Sequence, residues 1–173
     1  MNKDGAQTAR NDWLRLDNAG LLKQCREERY RASGPGGQRR NRVETAVRLH
    51  HRPTGLVGQA EESRSHAENL TRAVQRLRER IAFDCRAPFD LNAPDLPPEL
   101  LSQISRDGSF AVNPQNSRYP LIVATVIDAL AAAEGSYATA GRALGVTTSR
   151  LLRFLQADRH LWRALPGALS SAH

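Results

Sequence analysis

The chain has 173 residues and a formal net charge of +7, with 40% hydrophobic and 25% charged residues. This balance is typical of a soluble globular protein with one domain or two small ones, and it excludes a disordered chain. The longest apolar run, residues 120–133, is interrupted by Asp128 and is too short to cross a bilayer, and the N-terminus lacks an apolar signal segment, so we expect a cytoplasmic protein with no membrane partner.

Residues 1–21 are predicted to be a polar N-terminal segment that ends in a short helix. Residues 1–11 are polar, and we expect them to be disordered. Asp12 is placed to cap the helix, which carries Trp13 and several leucines and is interrupted by Gly20. We expect this segment to lead into the next unit and to pack on it.

Residues 22–86 predict a small α+β domain made of a strand, a glycine-rich loop, a β-hairpin and a long helix. Residues 25–32 lead as a strand into Ser33-Gly34-Pro35-Gly36-Gly37-Gln38, where three glycines and a proline exclude both helix and strand. Residues 25–29 are polar, which predicts that this first strand is short or irregular. Residues 45–51 alternate small or apolar with polar side chains and predict the second strand.

A hairpin turn and a helix complete this domain. Pro53-Thr54-Gly55 predicts the turn that leads from the second strand into residues 56–59. Ser65 is expected to cap a helix that runs to about Ala82, because apolar residues recur there every three or four positions. These apolar positions are Leu70, Ala73, Val74, Leu77 and Ile81. Their spacing places them on one face of the helix.

The composition changes again after residue 86. Residues 87–117 are punctuated by proline and predict a linker, and residues 118–173 are rich in Ala, Leu and Ser and predict an all-α domain. Within it, a helix over 137–144, a turn at Gly145 and a helix over 147–156 resemble a helix-turn-helix. The residues expected to face nucleic acid are Thr147, Thr148, Ser149, Arg150 and Arg153. The alternative is a helical module that packs on protein.

The net charge comes from the middle of the chain. Residues 23–86 hold fifteen Lys and Arg against eight Asp and Glu, whereas residues 1–22 and 87–173 are each balanced. A basic segment between neutral flanks indicates that this domain meets phosphate. The alternative is a solvated surface in an arginine-rich protein, which explains the choice of arginine but not its location.

No cofactor or metal site is predicted. Cys25 and Cys85 are too few for a four-ligand zinc site, and we expect packing thiols rather than a disulfide. The adjacent His50 and His51 point to opposite faces of a strand and cannot share a metal ion. The sequence offers no Ser-His-Asp or Cys-His set, so a covalent route has no obvious nucleophile.

The loop and its surroundings resemble a known domain over roughly residues 22–84. The matching elements, in order, are Arg31-Ala32-Ser33-Gly34-Pro35-Gly36-Gly37-Gln38, then Asn41, residues 44–49, Pro53-Thr54-Gly55, Arg64-Ser65 and Asn69. Together they resemble the GGQ catalytic domain of class I peptide chain release factors. The same domain occurs in stand-alone peptidyl-tRNA hydrolases that rescue stalled ribosomes. The resemblance therefore indicates a short release-factor-like protein.

This resemblance implies hydrolysis of the ester bond of peptidyl-tRNA, with Gly36, Gly37 and Gln38 as the catalytic residues. Glycines without a Cβ let the backbone approach the RNA end closely. The backbone N–H of Gln38 is expected to stabilise developing negative charge, and its side chain to favour water over larger nucleophiles. Gln38 is also implied as a site of N5-methylation by a glutamine methyltransferase. The competing interpretation of the glycines is an ordinary flexible turn.

The resemblance also implies RNA partners, namely large-subunit ribosomal RNA at the peptidyl transferase centre and peptidyl-tRNA. The candidate RNA-binding residues are Arg39, Arg40, Asn41, Arg42, Arg48 and Arg64. Asn41 is the one that better fits a role in holding the base of the loop, and Arg48 and Arg64 are ambiguous between RNA contact and a surface ion pair. Glu61 and Glu62 offer carboxylates for general base catalysis, although exposed acids at a hairpin end are usually only solvated.

Two parts that such proteins use on the ribosome are not found in this sequence. Only about 22 residues precede the domain, which leaves no room for a stop-codon reader, and residues 167–173 contain no Lys or Arg. We therefore expect codon-independent release, in termination or in rescue of stalled ribosomes. The alternative is a non-catalytic ribosome- or RNA-binding regulatory protein that uses the domain as an anchor and the helix-turn-helix for nucleic acid.

Overall fold

The computed structural model describes residues 3–31, 44–104, 110, 112–114 and 116–170. Its contacts divide the chain into two compact units, Arg15–Ile81 and a second unit made of Met1–Leu14 with Ala82–His173. The first contains a β-sheet and helices and the second is helical, so the predicted mixture of α and β structure is confirmed at this level. Within the described ranges, no helix is long and apolar enough to cross a membrane.

A three-stranded antiparallel sheet forms the centre of the first unit. Its strands are β1 (Cys25–Tyr30), β2 (Ala46–His51) and β3 (Val57–Ala60), in the spatial order β1-β2-β3. β1 pairs with β2 along its whole length, from Cys25 opposite His51 to Tyr30 opposite Ala46. The sequence predicts a short or irregular first strand, but the pairing observed is regular.

The polar sequence of β1 is compatible with a strand because its carboxylates have partners. Glu28 Oε2 lies 3.0 Å from His50 Nε2 on the neighbouring strand, and Glu28 Oε1 lies 3.7 Å from Arg48 Nη1. Glu27 Oε1 lies 2.9 Å from His66 Nε2. Polar pairs between neighbouring strands, such as Glu28 with His50 and Arg48, contribute to the stability of a sheet.

The turn between β2 and β3 forms where the sequence predicts it. Gly55 has a φ of 71°, and its N–H donates to the carbonyl of His51 at 2.8 Å. The His51 ring is buried, with Nδ1 2.8 Å from Thr54 Oγ1 and Nε2 3.3 Å from Gln24 Oε1. Burial lowers the pKa of His51, so the fold favours the neutral ring.

A long helix, α3 (His66–Asp84), packs closely against β3. Ser65 caps it as predicted, because its Oγ accepts a backbone hydrogen bond from the first turn at 3.4 Å. The predicted apolar residues that are buried are Ala73, Val74, Leu77 and Ile81. A Cβ on Gly58 of β3 would lie 2.3 Å from the carbonyl oxygen of Ala73 and 2.7 Å from Leu77 Cβ. The close approach of strand and helix therefore requires glycine at position 58.

The second unit is built around a buried helix, α5 (Tyr119–Ala132), in which every residue of 121–130 is buried. The other helices after residue 84 are α4 (Pro98–Leu101), α6 (Tyr137–Ala143), α7 (Thr148–Ala157) and α8 (Arg159–Ser170). Gly145, with a φ of 73°, lies in the turn between α6 and α7. Thr147 caps α7 by accepting the N–H of Arg150 at 3.4 Å. Two short helices joined by a glycine turn are therefore present at the predicted positions.

Asp128 of α5 lies at the centre of a buried ion-pair network. Its Oδ2 accepts a hydrogen bond from Arg10, and its Oδ1 accepts from Arg86 Nη1 at 2.9 Å and from the N–H of Ala87 at 3.2 Å. Burial raises the pKa of Asp128, and the two guanidinium groups oppose that rise. The network links three separate stretches of the second unit, and removal of Asp128 would leave two largely buried guanidinium groups without their counter-ion.

Arg10 explains why the N-terminal segment differs from the prediction of disorder. A helix, α1 (Lys3–Arg15), covers most of that segment, and Arg10 is only 1% exposed because it pairs with Asp128. Asp12 therefore lies inside a helix and does not cap one. The cap belongs instead to Asp17, which accepts the N–H of Gly20 at 2.6 Å at the start of α2 (Asn18–Lys23).

The described part of residues 87–117 belongs to the core of the second unit, although the sequence predicts a linker there. Leu100 of α4 is fully buried, and Phe89, Leu91 and Leu96 pack against the same cluster as α5. Frequent proline prevents a long helix in this segment. It does not prevent the apolar side chains between the prolines from being buried.

We predict that Gly58→Ala destabilises the first unit by about 1–3 kcal/mol or more, because the new methyl group overlaps backbone and side-chain atoms of α3. Urea unfolding followed by circular dichroism measures the change. Gly167→Ala is the matched control, since nothing lies within 4 Å of its Cβ position, and it should leave stability unchanged or raise it by up to about 1 kcal/mol. Equal effects of the two substitutions would contradict the proposed packing.

We also predict that stability falls as the pH drops below about 6.5, the ordinary pKa of histidine. The pKa of His51 is lower in the folded chain, so the unfolded chain binds more protons between the two values, and acid therefore favours unfolding. Each pH unit in that window costs up to about 1.4 kcal/mol. Urea titrations at a series of pH values measure the slope of unfolding free energy against pH. The variant His51→Gln should show a flatter slope. An unchanged slope in that variant would assign the effect to other groups.

Candidate functional site

Most of the predicted site residues lie in the segment 32–43, which is outside the described residues. They are Gly36, Gly37, Gln38, Arg39, Arg40, Asn41 and Arg42. Their roles, including methylation of Gln38, stay predictions. The structure does describe the residues on either side of this segment, and we call Tyr30, Arg31, Glu44, Thr45 and Ala46 the loop base.

The two sides of the loop base lie next to each other at the end of the sheet. Tyr30 and Ala46 form the last pair of the β1–β2 register. Arg31 Nε lies 3.4 Å from Glu44 Oε1, an exposed ion pair that contributes at most about 1 kcal/mol. The chain therefore leaves β1 and enters β2 at neighbouring positions, so both ends of the glycine segment have fixed points of attachment.

Asn69 fixes the loop base to helix α3. Its side chain is fully buried, and its Nδ2 donates to the carbonyls of Thr45 at 2.7 Å and Ser63 at 2.8 Å. Its Oδ1 accepts the N–H of Ser63 at 3.0 Å. The amide thus uses both of its N–H groups and its oxygen on backbone atoms. One side chain therefore positions the entry to β2 and the connection that leads from β3 to α3.

Tyr30 and Arg48 interact beside the loop base. The Tyr30 hydroxyl donates to Glu61 Oε2 at 3.0 Å, and the guanidinium carbon of Arg48 lies 4.8 Å from the centre of the Tyr30 ring. Burial raises the pKa of Tyr30, and the hydrogen bond to Glu61 adds to that rise. Arg48 also donates to Gln59 Oε1 at 3.3 Å. Arg48, a candidate for RNA contact, is thus engaged with its own sheet.

Arg64 is the other described candidate for RNA contact, and its surroundings differ. It is exposed and forms no ion pair within the part of the chain that the structure describes. It lies between Ser63, which Asn69 holds, and Ser65, which caps α3. Arg64 therefore presents an unpaired cation on a well-anchored segment.

Glu61 and Glu62 have partners that do not favour general base catalysis. Glu61 accepts the hydrogen bond from Tyr30, and Glu62 accepts one from Arg76. The hydrogen bond from Arg76 lowers the pKa of Glu62. A carboxylate held in its ionised form by a guanidinium group is a weak proton acceptor, since efficient general bases titrate near the working pH.

The thiols and the described metal-ligating side chains form no further site. Cys25 and Cys85 are both free, and burial raises the pKa of each, so the reactive thiolate is disfavoured. Cys25 Sγ donates to the carbonyl of Leu21 at 3.3 Å, as expected for a packing thiol. In the ranges that the structure covers, no three His, Cys, Asp or Glu side chains are grouped to hold a metal ion.

The hydrogen bonds that Asn69 and Tyr30 make near the loop base were not predicted from the sequence. A signal for Asn69 was available, because it lies four residues before Ala73 on the buried face of α3. A polar residue on the apolar face of a helix is expected to bond buried backbone groups. No such signal existed for Tyr30, because its partner Glu61 is 31 positions away.

Comparison with known proteins identifies the domain that contains this site. Residues 22–88 match the model of the RF-1 domain. Peptide chain release factor 2 of Acidovorax sp. (strain JS42) is 52% identical over 56 residues, which is 32% of this chain and 15% of that protein. Peptide chain release factor 1 of Ureaplasma parvum serovar 3 is 47% identical over 58 residues, which is 34% of this chain and 16% of that protein.

These similarities are confined to one part of each protein. The chain thus spans about a sixth of the length of the two release factors. No solved structure matches the chain. The loop base, Asn69, Arg48 and Arg64 all lie inside the matched residues. The chain therefore carries, at residues 22–88, a domain of the class I peptide chain release factor family.

Proposed function

We propose that this protein hydrolyses the ester bond of peptidyl-tRNA on the ribosome, independently of the codon, in termination or in the rescue of stalled ribosomes. The observation that carries the proposal is the match of residues 22–88 to the RF-1 domain with Gly36-Gly37-Gln38 inside it. The proposed partners are large-subunit ribosomal RNA at the peptidyl transferase centre, peptidyl-tRNA, and a glutamine methyltransferase that modifies Gln38. The reaction takes place in the cytoplasm.

In the proposed reaction, water attacks the carbonyl carbon of the ester, the bond to the ribose 3′ oxygen breaks, and the proton from water ends on that oxygen. Negative charge develops on the carbonyl oxygen in the transition state. A backbone N–H directed at this oxygen stabilises the charge without a covalent intermediate. Gln38 supplies that N–H, Gly36 and Gly37 allow the backbone to come close to the tRNA end, and the Gln38 side chain selects water.

The loop base supports this mechanism because catalysis by positioned donors needs a rigid frame. Tyr30 pairs with Ala46, and Asn69 holds the carbonyl of Thr45 from a buried position in α3. These contacts reduce the freedom of both ends of the segment that carries Gln38.

The arginines near the loop are proposed to bind RNA phosphates. Arg64 is exposed and unpaired among the described residues, so its charge is available to a phosphate group. Arg48 would first have to release Glu28 and Gln59. We propose the same role for Arg39, Arg40 and Arg42, with Asn41 holding the base of the loop.

A release assay tests the proposed activity directly. Purified protein is mixed with ribosomes that hold initiator aminoacyl-tRNA on stop, sense or truncated mRNA, and the freed amino acid is measured. Release that does not depend on a stop codon supports the proposal, and release on truncated mRNA alone identifies rescue. Release on stop codons alone overturns codon independence. Salt-sensitive ribosome binding without release on any complex favours the non-catalytic alternative.

Two substitutions of Gln38 separate its backbone from its side chain. Gln38→Pro removes the N–H and should lower the release rate by about 100- to 1,000-fold, the usual effect of losing one oxyanion donor. Gln38→Ala keeps the N–H, so it should lose less activity with water and should react faster than the native protein with the larger nucleophile hydroxylamine. Equal rates for Gln38→Pro and the native protein would contradict the assigned role.

Asn69→Ala tests whether the loop base matters for activity. The substitution leaves the carbonyls of Thr45 and Ser63 and the N–H of Ser63 without this partner, so we expect a loss of about 1–3 kcal/mol in unfolding free energy. We also expect a lower maximal release rate at temperatures where the variant is folded.

The control for this prediction is Asn18→Ala, whose exposed side chain accepts one hydrogen bond from Arg78 at 3.1 Å. Its effect on stability should be within about 0.5 kcal/mol. Asn69→Asp keeps the acceptor for Ser63 but removes both donors, so it should be at least as harmful as Asn69→Ala. A folded Asn69→Ala protein with the native release rate would show that the contact is only structural.

A further inference from the structure

The second unit exposes arginines that the proposed hydrolysis does not use. Residues 137–170, which span helices α6 to α8, contain five arginines and one acidic residue, Asp158. Those that are exposed and form no ion pair within the described residues are Arg142, Arg153, Arg159 and Arg163. In the first unit, Arg29, Arg31, Arg48, Arg72 and Arg76 each lie within 4.0 Å of a glutamate oxygen, whereas Arg26, Arg52 and Arg64 are exposed and form no ion pair among the described residues. Exposed unpaired arginines therefore occur in both units, and those of the second lie in a stretch with a single acidic residue.

Asp158 forms no ion pair with these arginines among the described residues, and its two oxygens accept hydrogen bonds from other groups. Its Oδ2 accepts the hydroxyl of Tyr119 at 2.8 Å. Its Oδ1 accepts the N–H groups of His160 at 2.9 Å and Leu161 at 3.1 Å at the start of α8. The one acidic side chain of this region thus serves as a helix cap and a link to α5.

The arginines belong to a polar surface on a rigid support. On α7, Leu151, Phe154 and Leu155 are buried in the core. The exposed polar side chains of the same helix are Thr148, Ser149, Arg153 and Gln156. The spacing of Ser149, Arg153 and Gln156 places them on the side opposite the buried residues, and Thr148 lies exposed at the first turn.

The next helix, α8, also carries exposed arginines. Arg159 and Arg163 lie one helical turn apart, on the side of α8 opposite the buried Leu161 and Leu165. We call Thr148, Ser149, Arg153, Gln156, Arg159 and Arg163 the α7–α8 face. It contains no acidic residue.

We propose that the α7–α8 face binds the sugar–phosphate backbone of double-stranded RNA. Unpaired arginines complement phosphate charge, and hydroxyl and amide groups bond phosphate oxygens and ribose 2′-hydroxyls. The choice of RNA over DNA rests on the proposed function, because the ribosome offers RNA helices on its surface. In that setting the second unit adds a binding surface outside the catalytic domain.

The test compares RNA binding by two variants of the full chain. In Arg153→Ala/Arg163→Ala, two cations of the α7–α8 face are removed. In the control, Arg29→Ala/Arg72→Ala, two ion-paired cations of the first unit are removed. All four side chains are exposed, so both variants should keep the native circular dichroism spectrum and melting temperature.

Fluorescence anisotropy with a labelled RNA hairpin of about 16 base pairs gives the affinity between about 50 and 200 mM salt. The slope of log K against log salt should become shallower by about two for the α7–α8 variant, because each arginine that binds a phosphate adds about one to the slope. For the control variant the slope should change by less than about one. Equal slopes for the α7–α8 variant and the native protein overturn the proposal. A DNA hairpin of the same sequence that binds more tightly, and alone shows the change in slope, overturns the assignment to RNA.

The release assay keeps this proposal distinct from the hydrolytic one. The α7–α8 variant should need a higher ribosome concentration for half-maximal release and keep the native maximal rate. Gln38→Pro should bind the RNA hairpin with the native salt slope but show the release rate lowered by about 100- to 1,000-fold. If no protein with intact RNA binding releases the amino acid, only the proposed hydrolysis is rejected. If the salt slope of the α7–α8 variant is unchanged, only the proposed RNA binding by the α7–α8 face is rejected.

Discussion

The first unit depends on the hydrogen bonds that one buried amide makes. Asn69 bonds the carbonyl of Thr45 and both polar backbone groups of Ser63, so α3, the start of β2 and the segment after β3 meet at one side chain. Thr45 and Ser63 are 18 positions apart in the sequence, and the pairing of β2 with β3 does not include them. Buried backbone groups must be hydrogen-bonded, and here the Asn69 amide supplies the bonds. The chain can follow its path at Thr45 and Ser63 only with that amide in place. The segment 32–43 ends two residues before Thr45, so its attachment depends on the same hydrogen bonds.

Charge has different uses in the two units. In the first, several arginines lie beside glutamates on the sheet and on α3, while Arg64 is exposed and forms no ion pair among the described residues. In the second, two arginines compensate the buried Asp128, and others remain unpaired at the surface. Net charge summed along the sequence assigns the excess to residues 23–86. The structure shows that such a sum does not identify which cations are available, because availability depends on pairing.

Local patterns in the sequence were sufficient to predict helices, turns and helix caps. The apolar spacing of α3, the turn at Gly55 and the cap at Ser65 are each encoded within a few residues, and each forms where expected. Features that depend on distant partners were not predictable in this way. The helix at the N-terminus needs Asp128, 118 positions from Arg10, and the polar strand β1 needs His50 and His66. The glycine segment itself was recognised from its sequence, and its catalytic role stays a prediction.

The ion pair between Arg10 and Asp128 also has a consequence for chain topology. It ties the N-terminal helix to the same unit as the C-terminal helices, so Arg15–Ile81 is an insertion with both ends held by one folded body. As long as that body stays folded, the unfolded form of the inserted domain is a closed loop rather than a free chain. In the loop-entropy model such closure removes up to about 4 kcal/mol of unfolded-state freedom. The helical unit would then stabilise the release-factor domain as a cross-link does, by lowering the conformational entropy of its unfolded form.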